Sequence, residues 1–318
     1  MPKPSELACT YSIVARDPQT GQLGVAVQSH WFSVGSLVCW AEAGVGAVAT
    51  QAMVRADYGP LGLQRMRSGL TAYQALSELL AQDDGRALRQ VAMVDTRGHV
   101  AAHTGERCIA EAGHESGLQF SVQANMMANR RVWPAMAEAF RGASGDLAER
   151  LLRALEAAQA TGGDLRGKQS AAILIVGAEQ LPEPWEGIQM ELRVEDHPEP
   201  LKELRRLVGL HNAYRHMNRG DELLGEGQTE GALDEYHTAA LTAPEIPELP
   251  FWQAVTLADL GRLEEALPLF RDVFRRDPNL AILLQRLPRV GLIRDDPTLL
   301  HAILSVAEAR SDGSGARE

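Results

Sequence analysis

The sequence predicts an α+β chain in two parts, on three observations. Strand-like and helix-like stretches come in separate blocks over residues 10–195, which points to layers of sheet and helix rather than an alternating βαβ sheet. From residue 210 the pattern is wholly helical and repeats at a spacing of 34: Leu223 matches Leu257, Gly227 Gly261, Ala232 Ala266, Tyr236 Phe270, Ala240 Phe274 and Pro244 Pro278. A length of 318 residues exceeds what one hydrophobic core usually covers, so two domains are the default.

Residues 10–52 read as strands. Thr10-Tyr11-Ser12-Ile13-Val14-Ala15 is rich in β-favouring residues. Asp17-Pro18-Gln19-Thr20-Gly21 is turn chemistry, with Pro to set φ and Gly to permit φ > 0, and Leu23–Gln28 returns as the second strand of a hairpin. Ser36–Trp40 and Val45–Gln51 are read as two more strands, parted by Glu42-Ala43-Gly44. Small residues in the second (Gly46, Ala47, Ala49) predict a buried strand that another backbone approaches closely. Helices are expected over Pro60–Arg67, with Pro at the first position, and over Thr71–Ala81. The latter carries a stripe at Ala72, Ala75, Leu76, Leu79 and Leu80, with Thr71 as N-cap. Strands follow at Leu88–Asp95, His99–His103 and Gln119–Ala124, then helices at Val132–Phe140 and Asp146–Ala160, then strands at Gln169–Val176 and Ile188–Val194. Two sheets between helix pairs fit this order.

Composition narrows the function classes. Hydrophobic residues are 45% and charged residues 23%, ordinary for a globular protein. A net charge of −11 disfavours a nucleic-acid partner, and the basic pairs Arg205-Arg206 and Arg275-Arg276 fall in predicted helices as solvated faces. Cys9, Cys39 and Cys108 are widely spaced with no CxxC, which fits a reducing compartment; neither a metal nor a cofactor is expected. No stretch reaches the length of a membrane span, and the N-terminus lacks the apolar core of a signal peptide, so no membrane partner and a cytoplasmic location are expected.

Residues 196–209, opening with Asp196-His197-Pro198-Glu199-Pro200, read as the hinge between domains 10–195 and 210–310. In the second domain a small residue after one helix, an Ala in the next, an aromatic four residues on and a closing Pro make the tetratricopeptide pattern. Residues 280–310 would add a departed repeat or cap, and Ser311–Glu318 reads as a disordered tail.

Several blocks of the first domain carry a resemblance. They are Thr10–Asp17, Thr20–Val27, Gly44–Gln51, Tyr58-Gly59-Pro60, Ala112-Gly113-His114, Gln123-Ala124-Asn125 and Gly162–Ala172. Together they resemble the domain of unknown function 1028 family, grouped with the N-terminal-nucleophile (Ntn) hydrolases. The resemblance implies a four-layer αββα Ntn-hydrolase-like sandwich and an ancestral amide-bond hydrolase, without naming a substrate. This chain departs from the pattern in two places. Thr10 follows nine residues instead of directly following Met, and Ala124 stands where the family more often has Gly.

What the resemblance implies for the site starts at Thr10. An Ntn enzyme uses the hydroxyl or thiol of its first residue as nucleophile and that residue's α-amine as base, since the amine's ordinary pKa of about 7.7–8.0 lies near working pH. Thr10 is the candidate nucleophile, with Cys9 and Ser12 as competitors; the alternative is a β-favouring residue at a strand start. Asp17 is a candidate catalytic group that orients the nucleophile, or else a turn starter before Pro18. Arg16 is a candidate for a substrate carboxylate or for pairing with an acidic residue. Ser29, which follows the second strand, and Gln51, which ends the fourth, are further substrate-binding candidates, while a Ser29–His30 dyad is disfavoured because adjacent strand residues face opposite ways. His103 and His114 read as turn or core residues. Gln123 and Asn125 share a strand face and would line a polar pocket or stabilise an oxyanion, or else form a solvent-facing strand surface. In the loop Gly162–Ser170, glycines expose backbone N–H groups beside Asp164 and Arg166, which are read as bordering the ligand; the spacing is not that of a Walker loop.

Two function classes result. One is an Ntn-type amidohydrolase acting on a small amide or amino-acid derivative. The other is a non-catalytic Ntn-like binding module that carries a tetratricopeptide scaffold for protein partners. A homo-oligomer is left open. The leader Met1–Cys9, with Pro2, Pro4 and no apolar periodicity, is expected to pack loosely and to be removable.

Overall fold

A computed structural model describes residues 7–308. The expected hairpin is formed by β2 (Thr10–Arg16) and β3 (Leu23–Ser29), after a two-residue strand β1 (Leu7–Ala8). Its turn is held by Asp17, whose carboxylate accepts the N–H groups of Gln19 and Thr20 at 2.7 and 3.3 Å. Gly21 closes it at φ +74°, a conformation that favours glycine.

The run read as a strand over 36–40 is different. Gly35–Val38 makes a single helical turn, α1, and the strand β4 starts only at Cys39 (Cys39–Glu42). The helical turn buries Val34 and Val38 and leaves Ser36 between them exposed, whereas an alternating strand would send all three to one face. Strand β5 (Gly46–Met53) is buried along its whole length, as its small residues predict. Helices α2 (Tyr58–Arg67) and α3 (Ala72–Ala81) follow; Thr71 caps α3, accepting from Gln74 N–H in a reciprocal capping box. Then come β6 (Arg89–Asp95), β7 (Val100–Thr104), β8 (Gly113–Gly117) and β9 (Phe120–Ala124). Strand β8 escapes sequence reading because its His114-Glu115-Ser116 centre is polar and partly exposed, so it carries no apolar alternation. Helices α4 (Val132–Gly142) and α5 (Leu147–Ala160) and strands β10 (Ser170–Val176) and β11 (Ile188–Val194) complete the sheets.

Both sheets are antiparallel. One has the order β11-β10-β3-β2-β9-β8; in the other β5, β6 and β7 run side by side, with β1 and β4 both paired to β5. Between the sheets lies a core of Val14, Val25, Val27, Ala47, Ala49, Ala92 and Val94. Helices α4 and α5 cover Tyr11, Ile13, Phe120 and Val122 on the outer face of the first sheet. Helices α2 and α3 cover Val48, Val91 and Met93 on the outer face of the second. The strand period of two therefore sends Ile13 to the helices and Thr10, Ser12 and Val14 to the layer between the sheets.

Residues read as a hinge are mostly helix. Helix α6 runs Pro200–Gly225, and the first compact unit extends to Val208. Leu201, Leu204 and Val208 are buried in its core, and Arg205 bonds Glu149 and Glu156 of α5 at 2.7 and 2.6 Å. Pro200 begins this helix rather than closing a linker.

The second unit holds the rest of α6 with α7 (Thr229–Thr242), α8 (Glu248–Asp259), α9 (Leu263–Arg276), α10 (Asn279–Leu284) and α11 (Pro297–Glu308). Positions 34 apart take like roles. Ala232 and Ala266 are fully buried, Tyr236 and Phe270 join one core, and Gly227 and Gly261 turn between helices at φ +76° and +82°. The sequence expectation of a disordered 311–318 tail lies outside the described residues. Among the described residues no helix is long and apolar enough to cross a membrane.

Candidate functional site

At one end of the layer between the sheets the inward-facing positions turn from apolar to polar. Along β2 Val14 gives way to Ser12 and Thr10, along β3 Val27 to Ser29, along β5 Ala49 to Gln51, and along β6 Ala92 to Gln90. Gln123 of β9, Asn125 just after it and Ser170 of β10 complete the same end, and all of these side chains are fully buried. A buried polar group left unbonded costs about 1–3 kcal/mol, so these groups bond to one another.

Ser12 Oγ donates to Gln51 Oε1 at 2.7 Å and accepts from Gln123 Nε2 at 2.6 Å. Gln51 Nε2 donates to Gln90 Oε1 at 2.7 Å, which also accepts from Asn125 Nδ2 at 2.9 Å. The Thr10 carbonyl accepts from Asn125 N–H at 3.1 Å and from Gln51 Nε2 at 3.2 Å. Thr10 is thus clamped at its carbonyl by both sheets. The Oε1 of Gln123 and Oδ1 of Asn125 are buried without a hydrogen-bond partner, leaving acceptor capacity in this end of the layer.

The peptide bond before Thr10 is held as closely. Cys9 is fully buried, and its carbonyl oxygen accepts from Ser29 Oγ at 2.6 Å and Arg166 Nη2 at 2.7 Å. The Thr10 hydroxyl lies 2.9 Å from the Ala8 carbonyl and 3.1 Å from Ser29 Oγ, and donates its single proton to one or the other. Arg166 is aimed by Asp164, which takes Nε at 3.1 Å and Nη2 at 2.8 Å, while Asp164 also accepts the His30 N–H at 3.3 Å. Burial is the largest single influence on Arg166 and works against its charge, but the hydrogen bond to Asp164, the Asp164 charge and Cys9 together outweigh it and raise the pKa. Gly162, Gly163 and Gly167, all at positive φ, let this loop turn tightly enough to place both groups.

Thr10, Ser29, Gln51, Gln123, Asn125, Asp164 and Arg166 are therefore brought together. Arg16 and Asp17 are not. They end β2 at its far side, roughly 20 Å from Thr10 at about 3.3 Å per residue. Arg16 bonds Gln119 there at 2.7 Å, and Asp17 is occupied by its turn with Arg150 at 3.8 Å. The strand that starts at Thr10 carries its own end away from it, so neither residue joins the cluster around Thr10.

Sequence reading missed Gln90 and the Cys9 carbonyl. Gln90 was legible as one amide at the head of the apolar run Val91–Val94; a backbone carbonyl leaves no mark. His114 touches the edge of the network, its Nδ1 lying 2.8 Å from Thr104 Oγ1, which accepts from Gln90 Nε2 at 2.9 Å. Burial lowers the His114 pKa and favours the neutral ring. Among the described residues no cluster of His, Cys, Asp and Glu is arranged to hold a metal ion.

The model of the family of unknown function DUF1028 matches residues 10–204. The chain belongs to that family. It is also similar to the crystal structure of protein SPO2555 from Silicibacter pomeroyi, a DUF1028 structure, at 33% identity and a TM-score of 0.57, over 63% of this chain and 85% of that one. No curated protein matches. The DUF1028 match takes in every residue of the cluster and starts at Thr10 itself. The cradled Cys9 carbonyl stands one residue before it, and the second helical unit lies beyond it.

Proposed function

We propose that the chain is an amidohydrolase of the Ntn type, which first releases its leader at the Cys9–Thr10 bond and then turns Thr10 on a small amide or amino-acid derivative. One observation carries the reading: the carbonyl before Thr10 sits in a two-donor cradle of Ser29 and Arg166, and the Thr10 hydroxyl is 3.1 Å from the same Ser29 oxygen. Such donors stabilise the negative charge that grows on a carbonyl oxygen when its carbon is attacked.

In this step Thr10 Oγ1 bonds to the Cys9 carbonyl carbon, the Cys9–Thr10 C–N bond breaks, and the hydroxyl proton ends on the departing nitrogen. Ser29 gives that proton a path: it receives from Thr10 and donates to the carbonyl oxygen, and the hydroxyl of the resulting tetrahedral adduct passes the proton to the nitrogen as the C–N bond breaks and the carbonyl re-forms. Water then hydrolyses the ester to the Cys9 carboxylic acid, the Thr10 hydroxyl and a free α-amine. That amine, with an ordinary pKa of about 7.7–8.0, is the base for the next amide. The two sheets enclosed by helix pairs support an Ntn-like αββα sandwich. The 34-residue recurrence of buried Ala, buried aromatic and turn Gly supports a tetratricopeptide-like scaffold for a protein partner.

A second reading has its own observation. Leu7–Ala8 pairs with β5 and Cys9 is fully buried, so the last leader residues are packed, contrary to the loose leader expected from sequence. If the leader stays, Thr10 has no α-amine and the domain is a binding module. Mass spectrometry of the intact protein separates the two. The wild-type chain should lose Met1–Cys9, Thr10→Ala should keep it, and Ser29→Ala should slow its release by roughly 10²–10³-fold. A wild-type protein that keeps its leader under all conditions decides for the binding module.

A further inference from the structure

We propose that Leu7–Cys9 occupies the acyl side of the substrate groove, and that the substrate is an extended peptide which adds to the edge of β5 as a short antiparallel strand. The inference rests on the nucleophile reading above and sharpens it from any small amide to a peptide acyl group with small side chains next to the bond cut.

The edge itself is the first argument. β6 pairs with β5 along one side, Gly46 to Ala52. On the other side β4 pairs only with Gly46–Ala49, and β1 takes Ala52 and Met53. On this second side, the end of β5 nearest Thr10 is therefore paired by leader residues alone, through backbone groups that any extended peptide also offers. Ala52 holds φ +70°, a strained conformation for a residue with a side chain, at the position paired with Ala8. Strain of this kind is kept where the surroundings fix it, and here it stands next to Gln51, which bonds the Thr10 carbonyl.

The second argument is continuity between groove and chemistry. The chain passes from the β5 edge directly into the Ser29–Arg166 cradle, so a peptide lying along Ala52–Met53 delivers its terminal carbonyl to the place now taken by the Cys9 carbonyl. Ala8 and Cys9 are fully buried, which restricts those two positions to small side chains. Arg166 keeps 28% of its side chain exposed while Asp164 is fully buried, so the cradle opens to solvent on the guanidinium side.

The test uses the full-length protein after its leader has been released, verified by mass. The probe is the peptide Ser-Glu-Leu-Ala-Cys carried as a C-terminal aminocoumarin amide. Comparison probes are the same peptide N-methylated at Leu and Ala, the same peptide with Trp in place of Ala, and acetyl-aminocoumarin. The parent peptide should be hydrolysed with kcat/KM about tenfold or more above each comparison probe, since each loses strand hydrogen bonds or fit. The free acid Ser-Glu-Leu-Ala-Cys should inhibit competitively, its carboxylate facing Arg166. A processed protein that hydrolyses acetyl-aminocoumarin as well as the peptide, or that turns over none of the peptides, overturns the groove and leaves Thr10 as nucleophile. A protein whose mass always includes Met1–Cys9 overturns the nucleophile and the groove with it.

Discussion

Cys9 and Thr10 are neighbours with opposite prospects as nucleophiles. Burial pushes the Cys9 thiol up to about 12; the Arg166 charge pulls it down less than burial raises it, and Asp164 adds to the rise. A thiol raised in this way is largely protonated at pH 8, which favours Thr10 over Cys9 in the proposed chemistry. In the Thr10→Ala protein, which on the proposed function keeps its leader, iodoacetamide at pH 8 should leave Cys9 unmodified until the chain is unfolded. Because the reactive form is the thiolate, labelling of the native protein should accelerate as pH rises toward 12. Peptide mapping by mass checks this; fast native labelling at pH 8 would mean that the Cys9 environment is open and the cradle loose. The same scale explains Asp17, whose carboxylate is used up by two backbone N–H groups of its own turn.

Elements explain where a small residue is obligatory. Ala232 and Ala266 are completely buried in the helical unit, beside Tyr236 and Phe270. Ala266→Leu adds three carbons where α9 meets its neighbours, and should destabilise that unit by about 1–3 kcal/mol through overpacking. Urea denaturation of the full chain followed by circular dichroism would register the loss; an unchanged transition would mean the helices do not approach there. Elements also explain the errors of sequence reading. Gly35–Val38 has the composition of a strand, but only a helical turn buries Val34 and Val38 while leaving Ser36 exposed. Strand β8 has no apolar pattern because it lies at the sheet edge, partly in solvent.

For the whole molecule, the position of the unit boundary is a statement about stability. Leu201, Leu204 and Val208 complete the core of the first unit, and Arg205 ties α6 to α5. Each buried aliphatic side chain is worth about 1.5–3 kcal/mol. A chain ending at Val208 should fold, whereas one ending at Glu195 should melt well below it or precipitate. Matching thermal melts for the two would show that α6 adds nothing to the first unit.

The sequence by itself determined the α+β character, the hairpin at Thr10, the N-cap at Thr71 and the 34-residue recurrence. Each of these depends on local chemistry or on a period that the residues carry themselves. It also held more of the site than adjacency suggests. Ser29, Gln51 and Gln90 each break an apolar strand at its end, on the parity that faces inward. Only the tertiary structure decided that those ends meet, because register between strands distant in sequence sets which inward positions share a layer. It also decided that Arg16 and Asp17 stand apart from Thr10, since a seven-residue strand keeps its two ends far from each other. The Ser29–Arg166 cradle on the Cys9 carbonyl lay beyond sequence altogether. Its acceptor is a backbone oxygen, and its donors lie 20 and 157 residues away, brought to it by the fold.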